Sequence, residues 1–172
     1  VNAPIVRDAS PRLHAMIALS YAAICLSGRE KNIRQASHDL DRELERQILP
    51  DGGHISRNPY ILVELLADLI PLRDAFGAAG VYPPTKLIAS LDRMAGAVLF
   101  FTHGNEELGN FNGTQTVEPG LLKTILGTMG RAGQIQQSAR HSGYERLAHG
   151  NSAVLVDCGK PLSHNTAETA TA

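Results

Sequence analysis

Apolar residues recur at steps of three and four along four successive stretches of this chain, and each stretch is bounded by residues that start or stop helices. Ser10-Pro11 opens the first, since serine can cap free amides and proline has no amide to waste at the first helical position. Leu13, Met16, Ile17, Tyr21 and Ile24 then form a stripe that Leu19 and Leu26 widen, up to Ser27 and Gly28. From Arg29 to Ile48 a narrower stripe of Ile33, Ala36, Leu40, Leu44 and Ile48 runs through charged residues, and "DLDRELERQ" reads as a solvated face of that helix. Asn58-Pro59 opens the third stretch, with Ile61, Leu62, Leu65, Leu66 and Leu69, which Pro71 is expected to bend or end. After the turn "GAAGVYPP", a fourth helix runs from about Pro84 to Phe100. Four such helices in succession predict two antiparallel hairpins, and a shorter fifth helix is expected around Glu118 to Met129.

Beyond Gly133 the pattern changes to two runs around "HGN", of which "AVLVD" is apolar and β-branched. This predicts the opening hairpin of a β domain whose remaining strands lie beyond residue 172, because a lone hairpin is marginal in water. The alternative is that the hairpin caps the helices in one small domain. The expected organisation is a helical portion over 1–133 and a truncated β portion over 134–172. The first residue is Val and the last nine are "HNTAETATA", so a piece of a longer protein is expected.

Composition narrows the functional classes. A hydrophobic content of 43% in 172 residues is enough for a real core. Sixteen basic against seventeen acidic residues leave no strong field for nucleic acid. Cys25 and Cys158 have no metal or disulfide spacing, the histidines show no ligand pattern, and "GTMGRAGQ" lacks the spacing and the preceding strand of a phosphate loop, so no metal or cofactor is expected. No apolar run reaches the roughly 18 residues that span a bilayer.

Two polar loops carry the candidate chemistry. "PDGGHISRNP" joins the second and third helices, and "FFTHGNEELGNFNG" follows the fourth. One hairpin separates them, so they are expected at the same end of the body. His54, Ser56, Arg57, Asn58, His103, Asn105, Asn110 and Asn112 are therefore expected to converge on an acidic ligand such as a sugar acid. His54 and His103 are the candidate proton carriers. Arg57, Asn58, Ser56, Asn105 and Asn112 are the candidate binding residues. Each has a plainer reading: Asp51-Gly52-Gly53 as a turn, Asn58 as a cap, His54 and Arg57 as a solvated loop, and His103 as a cation at a helix end. Phe111 either plugs its loop into the scaffold or offers a face to a sugar ring.

The order "RELERQILPDGGHISRNP", "LLADLIPLRDAF", "LDRMAGAVLFFTHGNEELGNFNG", "HSGYERLAHGNSAVLVDCG" resembles the heparinase II/III-like family of polysaccharide lyases over nearly the whole chain. The resemblance implies an incomplete (α/α) toroid followed by a β-sandwich domain. It implies a bacterial enzyme of the cell envelope or periplasm that cleaves a uronic-acid-containing polysaccharide, such as a glycosaminoglycan, by β-elimination. Arg57, Asn58 or His54 would then neutralise the carboxylate while a base removes the neighbouring proton. The family's Tyr-His pair is replaced here by Ile61 and Leu62, which puts the reaction in question, and without its full β-sandwich domain the chain alone is expected to be inactive. A non-catalytic acidic-glycan-binding module and a helical interaction scaffold are the competing expectations.

Overall fold

A computed structural model describes residues 9–27, 30–105, 107–118, 120–130, 135–150 and 152–160. The expected domain boundary at 133/134 and the "HNTAETATA" tail lie outside the described residues. Within them the chain is mainly helical with a small antiparallel sheet: α1 (Ala9–Ala22), a π-helical turn (Ala23–Ser27), α2 (Glu30–Gln47), α3 (Pro59–Ala78), α4 (Thr85–Phe101), α5 (Leu121–Thr128), β1 (Ser138–Ala139), β2 (Tyr144–His149) and β3 (Ser152–Asp157).

Helix α3 is the hub of the body. Asn58 caps it by accepting the Tyr60 amide at 2.9 Å, and Pro59 takes the position where no amide is needed. Leu62, Leu65, Leu66 and Leu69 are at most 1% exposed, and each contributes about 2 kcal/mol of apolar burial. Of the two expectations for Pro71, to bend or to end the helix, the second is corrected, since α3 continues to Ala78. Pro71 lies on the exposed side, so the bond it forfeits faces water, while Leu72 and Phe76 anchor the following turns in the core.

Helix α1 packs on α2 and α3, α2 also packs on α4, and α3 packs on α4 and α5. Leu40 and Leu44 turn the apolar side of α2 inward, but Glu43 and Gln47 are buried with them. The reading of "DLDRELERQ" as wholly solvated is corrected at these two positions.

The hairpin forms at the expected runs, with six pairs from Tyr144↔Asp157 to His149↔Ser152. Gly150, at φ 57°, supplies the left-handed residue in its turn. The two-residue strand β1, unanticipated, pairs with β2 on the other side, giving the order β1-β2-β3. Tyr144 and Arg146 of β2 are buried, so this sheet lies with one face against the helical body.

Candidate functional site

The loop between α2 and α3 holds the hairpin to the helices, and its glycines explain how closely it fits. Gly52 has φ 84°, and a Cβ there would collide with the carbonyl of Arg93 in α4. At Gly53 a Cβ would collide with the Ser142 hydroxyl in the turn before β2. Asp51 fastens that turn: its carboxylate accepts the Ser142 amide and the Ser142 hydroxyl, both at 2.7 Å, and the Gly53 amide at 3.1 Å. Asp51 is thus a turn residue and also a clamp on a segment ninety-one positions away.

Arg57 is the second fastening. Its backbone is left-handed at φ 58°, a conformation that costs a non-glycine residue about 1 kcal/mol. The guanidinium donates to the Ser142 carbonyl at 2.8 Å and the Lys160 carbonyl at 2.6 Å, and pairs with the Asp157 carboxylate. Its carbon lies 5.0 Å from the centre of the Tyr144 ring. A Cβ on Gly159 would strike the guanidinium, so Gly159 makes the room Arg57 occupies. The side chain of Arg57 is 10% exposed, and its donors are directed at the protein's own groups.

Tyr144 closes the same joint from the strand side. Its hydroxyl donates to the Arg57 carbonyl at 2.8 Å and accepts from Asn112 Nδ2 at 2.6 Å, while that nitrogen also reaches the Arg57 carbonyl at 3.1 Å. Burial, with the Asp157 charge adding to it, pushes the phenol up to about 12. The Tyr144 ring meets Phe101 edge-on at 4.9 Å and Phe111 at 5.0 Å. Phe111 therefore plugs its loop into the scaffold. Arg146, two residues along β2, donates to the Phe100 and Thr102 carbonyls at 2.6 and 3.1 Å and so satisfies the end of α4.

His54 is 2% exposed and belongs to a buried polar relay. The Ser56 amide donates to its Nδ1 at 3.1 Å, which makes Nδ1 an acceptor and leaves the proton on Nε2 to be donated to Gln47 Oε1, also at 3.1 Å. Gln47 Nε2 donates to Glu43 at 2.6 Å, and Glu43 pairs with Arg12 of α1 at 2.9 Å. Burial lowers the His54 pKa to about 4, so the ring is neutral at neutral pH.

The two polar loops do meet: besides the Asn112 bonds, the Thr114 hydroxyl donates to Asn58 Oδ1 at 3.2 Å. The meeting brings together Arg57, Asn58 and Asn112, with Ser56 beside them donating its hydroxyl to His54 at 2.7 Å. It does not include His103 or Asn105. His103 bonds through its amide to the Glu107 carbonyl at 2.8 Å and lines an open groove with Asn105, Arg146 and Ser152. Asn105 donates to Glu107 at 2.6 Å. The sequence reading passed over Asp51 as a mere turn and did not reach Ser142, Tyr144, Asp157, Glu43 or Gln47. The available signals were Asp51 before a glycine pair and Tyr144 after Gly143, at the base of a predicted strand. Among the described residues there is no cluster of three or more metal-ligating side chains, and no helix is long and apolar enough to cross a membrane.

Comparison with known proteins gives a relative that matches most of this chain. The chain is 35% identical over 159 residues to FtsZ-localized protein C of Caulobacter vibrioides, a match that covers 91% of this chain and 28% of that protein. The chain thus spans less than a third of the relative's length. No family model matches, and no solved structure matches.

This match corrects the functional expectations. The relative is named for being localised with FtsZ, and nothing matched is a heparinase II/III-like lyase. The lyase family, the enzyme assignment and β-elimination of a uronate polysaccharide or glycosaminoglycan are accordingly withdrawn. So are the acidic-glycan-binding module, the helical interaction scaffold, the acidic-polysaccharide partner and the cell-envelope or periplasmic location. The physical ground for the sugar-acid reading was the anion-binding capacity of His54 and Arg57. In the structure His54 is sealed inside a relay, and Arg57 is engaged with Asp157 and two carbonyls.

Proposed function

We propose that this chain is part of a protein that localises with FtsZ, as its relative does, and that the matched segment is a braced structural unit within it. The observation that carries this reading is the 35% identity extending over 91% of the chain. Ser56, Arg57, Asn58 and Asn112 serve in it as brace residues with His54 behind them, and His103 and Asn105 face the open groove. The test is imaging of the full-length protein as a fluorescent fusion beside labelled FtsZ, together with binding of the purified proteins. Overlap and saturable binding are expected. A diffuse signal with no measurable binding overturns the proposal.

The finer architecture belongs to the same proposal. Helices α1, α3 and α5 follow one another in one layer while α2 and α4 pair in a second, which is how part of an (α/α) toroid is built. The amphipathic stripe of α2 and the nearly all-round apolar surface of α3 suit outer and inner layers respectively. The β portion over 134–172 is then the first hairpin of a sandwich, joined to the helical portion over 1–133 by the Asp51 and Arg57 clamps.

A further inference from the structure

Asn112 precedes Gly113 in the loop after α4; both residues are exposed, at φ 51° and 81°. It is the one Asn-Gly step in the sequence, and that pair carries a chemistry of its own. The Gly113 amide gives up its proton to solvent and its nitrogen bonds to Asn112 Cγ. The Cγ–Nδ2 bond then breaks, and Nδ2 takes up a proton and leaves as ammonia. Water opens the resulting imide to aspartate or isoaspartate, so no reagent but water is consumed. Glycine favours the ring closure because no Cβ crowds the attacking nitrogen, and the space around that position at Gly113 is open.

The Asn112 amide group stands where the brace needs a donor. Nδ2 reaches the Tyr144 hydroxyl at 2.6 Å and the Arg57 carbonyl at 3.1 Å, and the hydroxyl gives its own proton to the same carbonyl at 2.8 Å. A carboxylate in this place brings no proton. The hydroxyl could then serve either the carboxylate or the Arg57 carbonyl, and the other would face only acceptors. The guanidinium offers no ready rescue, since each of its three nitrogens is already engaged, by Ser142, Lys160 and Asp157. Isoaspartate disturbs the joint further, because the main chain then runs through Cβ. It lengthens the link between Phe111, packed on Tyr144, and Thr114, bonded to Asn58.

We propose that Asn112 is a deamidation site guarded by the brace. While the hairpin is closed on the loop the amide is tethered; when the hairpin opens, Asn112 deamidates, and its carboxylate keeps the hairpin from closing again. The guarding follows from the geometry. Ring closure needs the Asn112 side chain to swing until Cγ meets the Gly113 nitrogen, and the two bonds on Nδ2 hold it toward Tyr144 and Arg57 instead. The rate therefore follows the open fraction of the hairpin. Ammonia is lost to solvent, so the change is one-way and the released population only grows with the age of the molecule. The inference goes beyond the FtsZ reading and does not depend on it.

The test follows the 172-residue chain at mildly alkaline pH, with peptide mapping by mass spectrometry to locate each new aspartate and isoaspartate. In urea Asn112 should convert ahead of every other asparagine, and Gly113→Ala should slow it severalfold. In the native chain the same conversion should run about tenfold or more slower, since only the open fraction reacts. Tyr144→Phe keeps the ring but removes the hydroxyl that tethers Nδ2, so it should speed the native reaction about fivefold. Asn112→Asp, which installs the charge of the product, should leave α3 protected while the β2 and β3 amides exchange about fivefold faster than in the parent. Equal rates in native and unfolded chains, no slowing by Gly113→Ala, an unchanged rate in Tyr144→Phe, or parent-like exchange in Asn112→Asp would overturn the proposal. Should Tyr144→Phe fail to fold, the native-to-unfolded rate ratio and Asn112→Asp decide.

Discussion

Two loops of similar composition lead opposite lives in this molecule. Residues 51–59 and 103–107 each follow a helix, and each carries a histidine, a glycine and an asparagine. In the first loop the polar groups are consumed within the fold: His54 in the relay to Gln47, Asp51 on Ser142, and Arg57 on Asp157 and two carbonyls. In the second, His103 and Asn105 sit at the rim of an open groove and bond only within their own loop among the contacts described. Residue type did not decide this difference. What decides it is that β2 and the turn before it lie across the first loop, so its donors and acceptors lose water and must find protein partners.

The comparison breaks most readily at Gly52. Gly52→Ala forces a side chain into the Arg93 carbonyl while holding a left-handed backbone, so a loss of about 3 kcal/mol or more is expected by urea unfolding. Gly80→Ala is the control, because Gly80 is also left-handed, at φ 69°, but has open space around its Cβ position. It should cost only about 1 kcal/mol. Equal losses at the two positions would show that the packing of the loop on α4 contributes nothing.

Arg57 sharpens the same contrast. Arg57→Ala removes the donors to Ser142 and Lys160 and leaves Asp157 without its cation, for an expected loss of about 2 kcal/mol. Arg57→Gly loses the same contacts but relieves the left-handed backbone, so it should be less destabilised by about 1 kcal/mol. Hydrogen exchange should show the β2 and β3 amides losing protection in both variants before those of α3 do.

These positions also show what was legible in the sequence. The helices and the hairpin were, because their periodicity and their caps are local signals: Asn58-Pro59 starts α3, and "HGN" marks the turn between β2 and β3. Counting hairpins predicted that the two loops share an end; Asn112 bonds to the Arg57 carbonyl, while His103 and Asn105 lie in a separate groove. The partners of those loops were not legible, since Ser142 and Asp157 lie about a hundred positions from Asp51 and Arg57 and no local pattern announces such pairs. An arginine reserved for a carbonyl and one reserved for a ligand read alike in sequence. Glu43 and Gln47 were hidden for a related reason: they sit among charges on α2, and only packing shows that they face inward beside Leu40 and Leu44.

His54 gives the contrast a pH axis. Its folded pKa, about 4, lies below the ordinary 6.5, so on acidification the unfolded chain takes a proton first. Stability is therefore unaffected by this group above about pH 6.5 and falls below it, by on the order of 2 kcal/mol at pH 5, before most carboxylates titrate. His54→Gln should be less stable at neutral pH but should flatten that slope in urea titrations. A slope that persists in the variant would place the acid sensitivity elsewhere.

The smallest effect is expected at the other loop, and it is the one that tests whether the two are truly different. His103→Ala and Asn105→Ala remove side chains at an open groove, so each should change stability by less than about 0.5 kcal/mol. Asn105 contributes a local bond to Glu107, whose loss water can replace, because both groups are exposed. If His103→Ala instead cost as much as Arg57→Ala, the groove would have to be a packed interface, and burial beneath the hairpin could no longer be what separates the two loops.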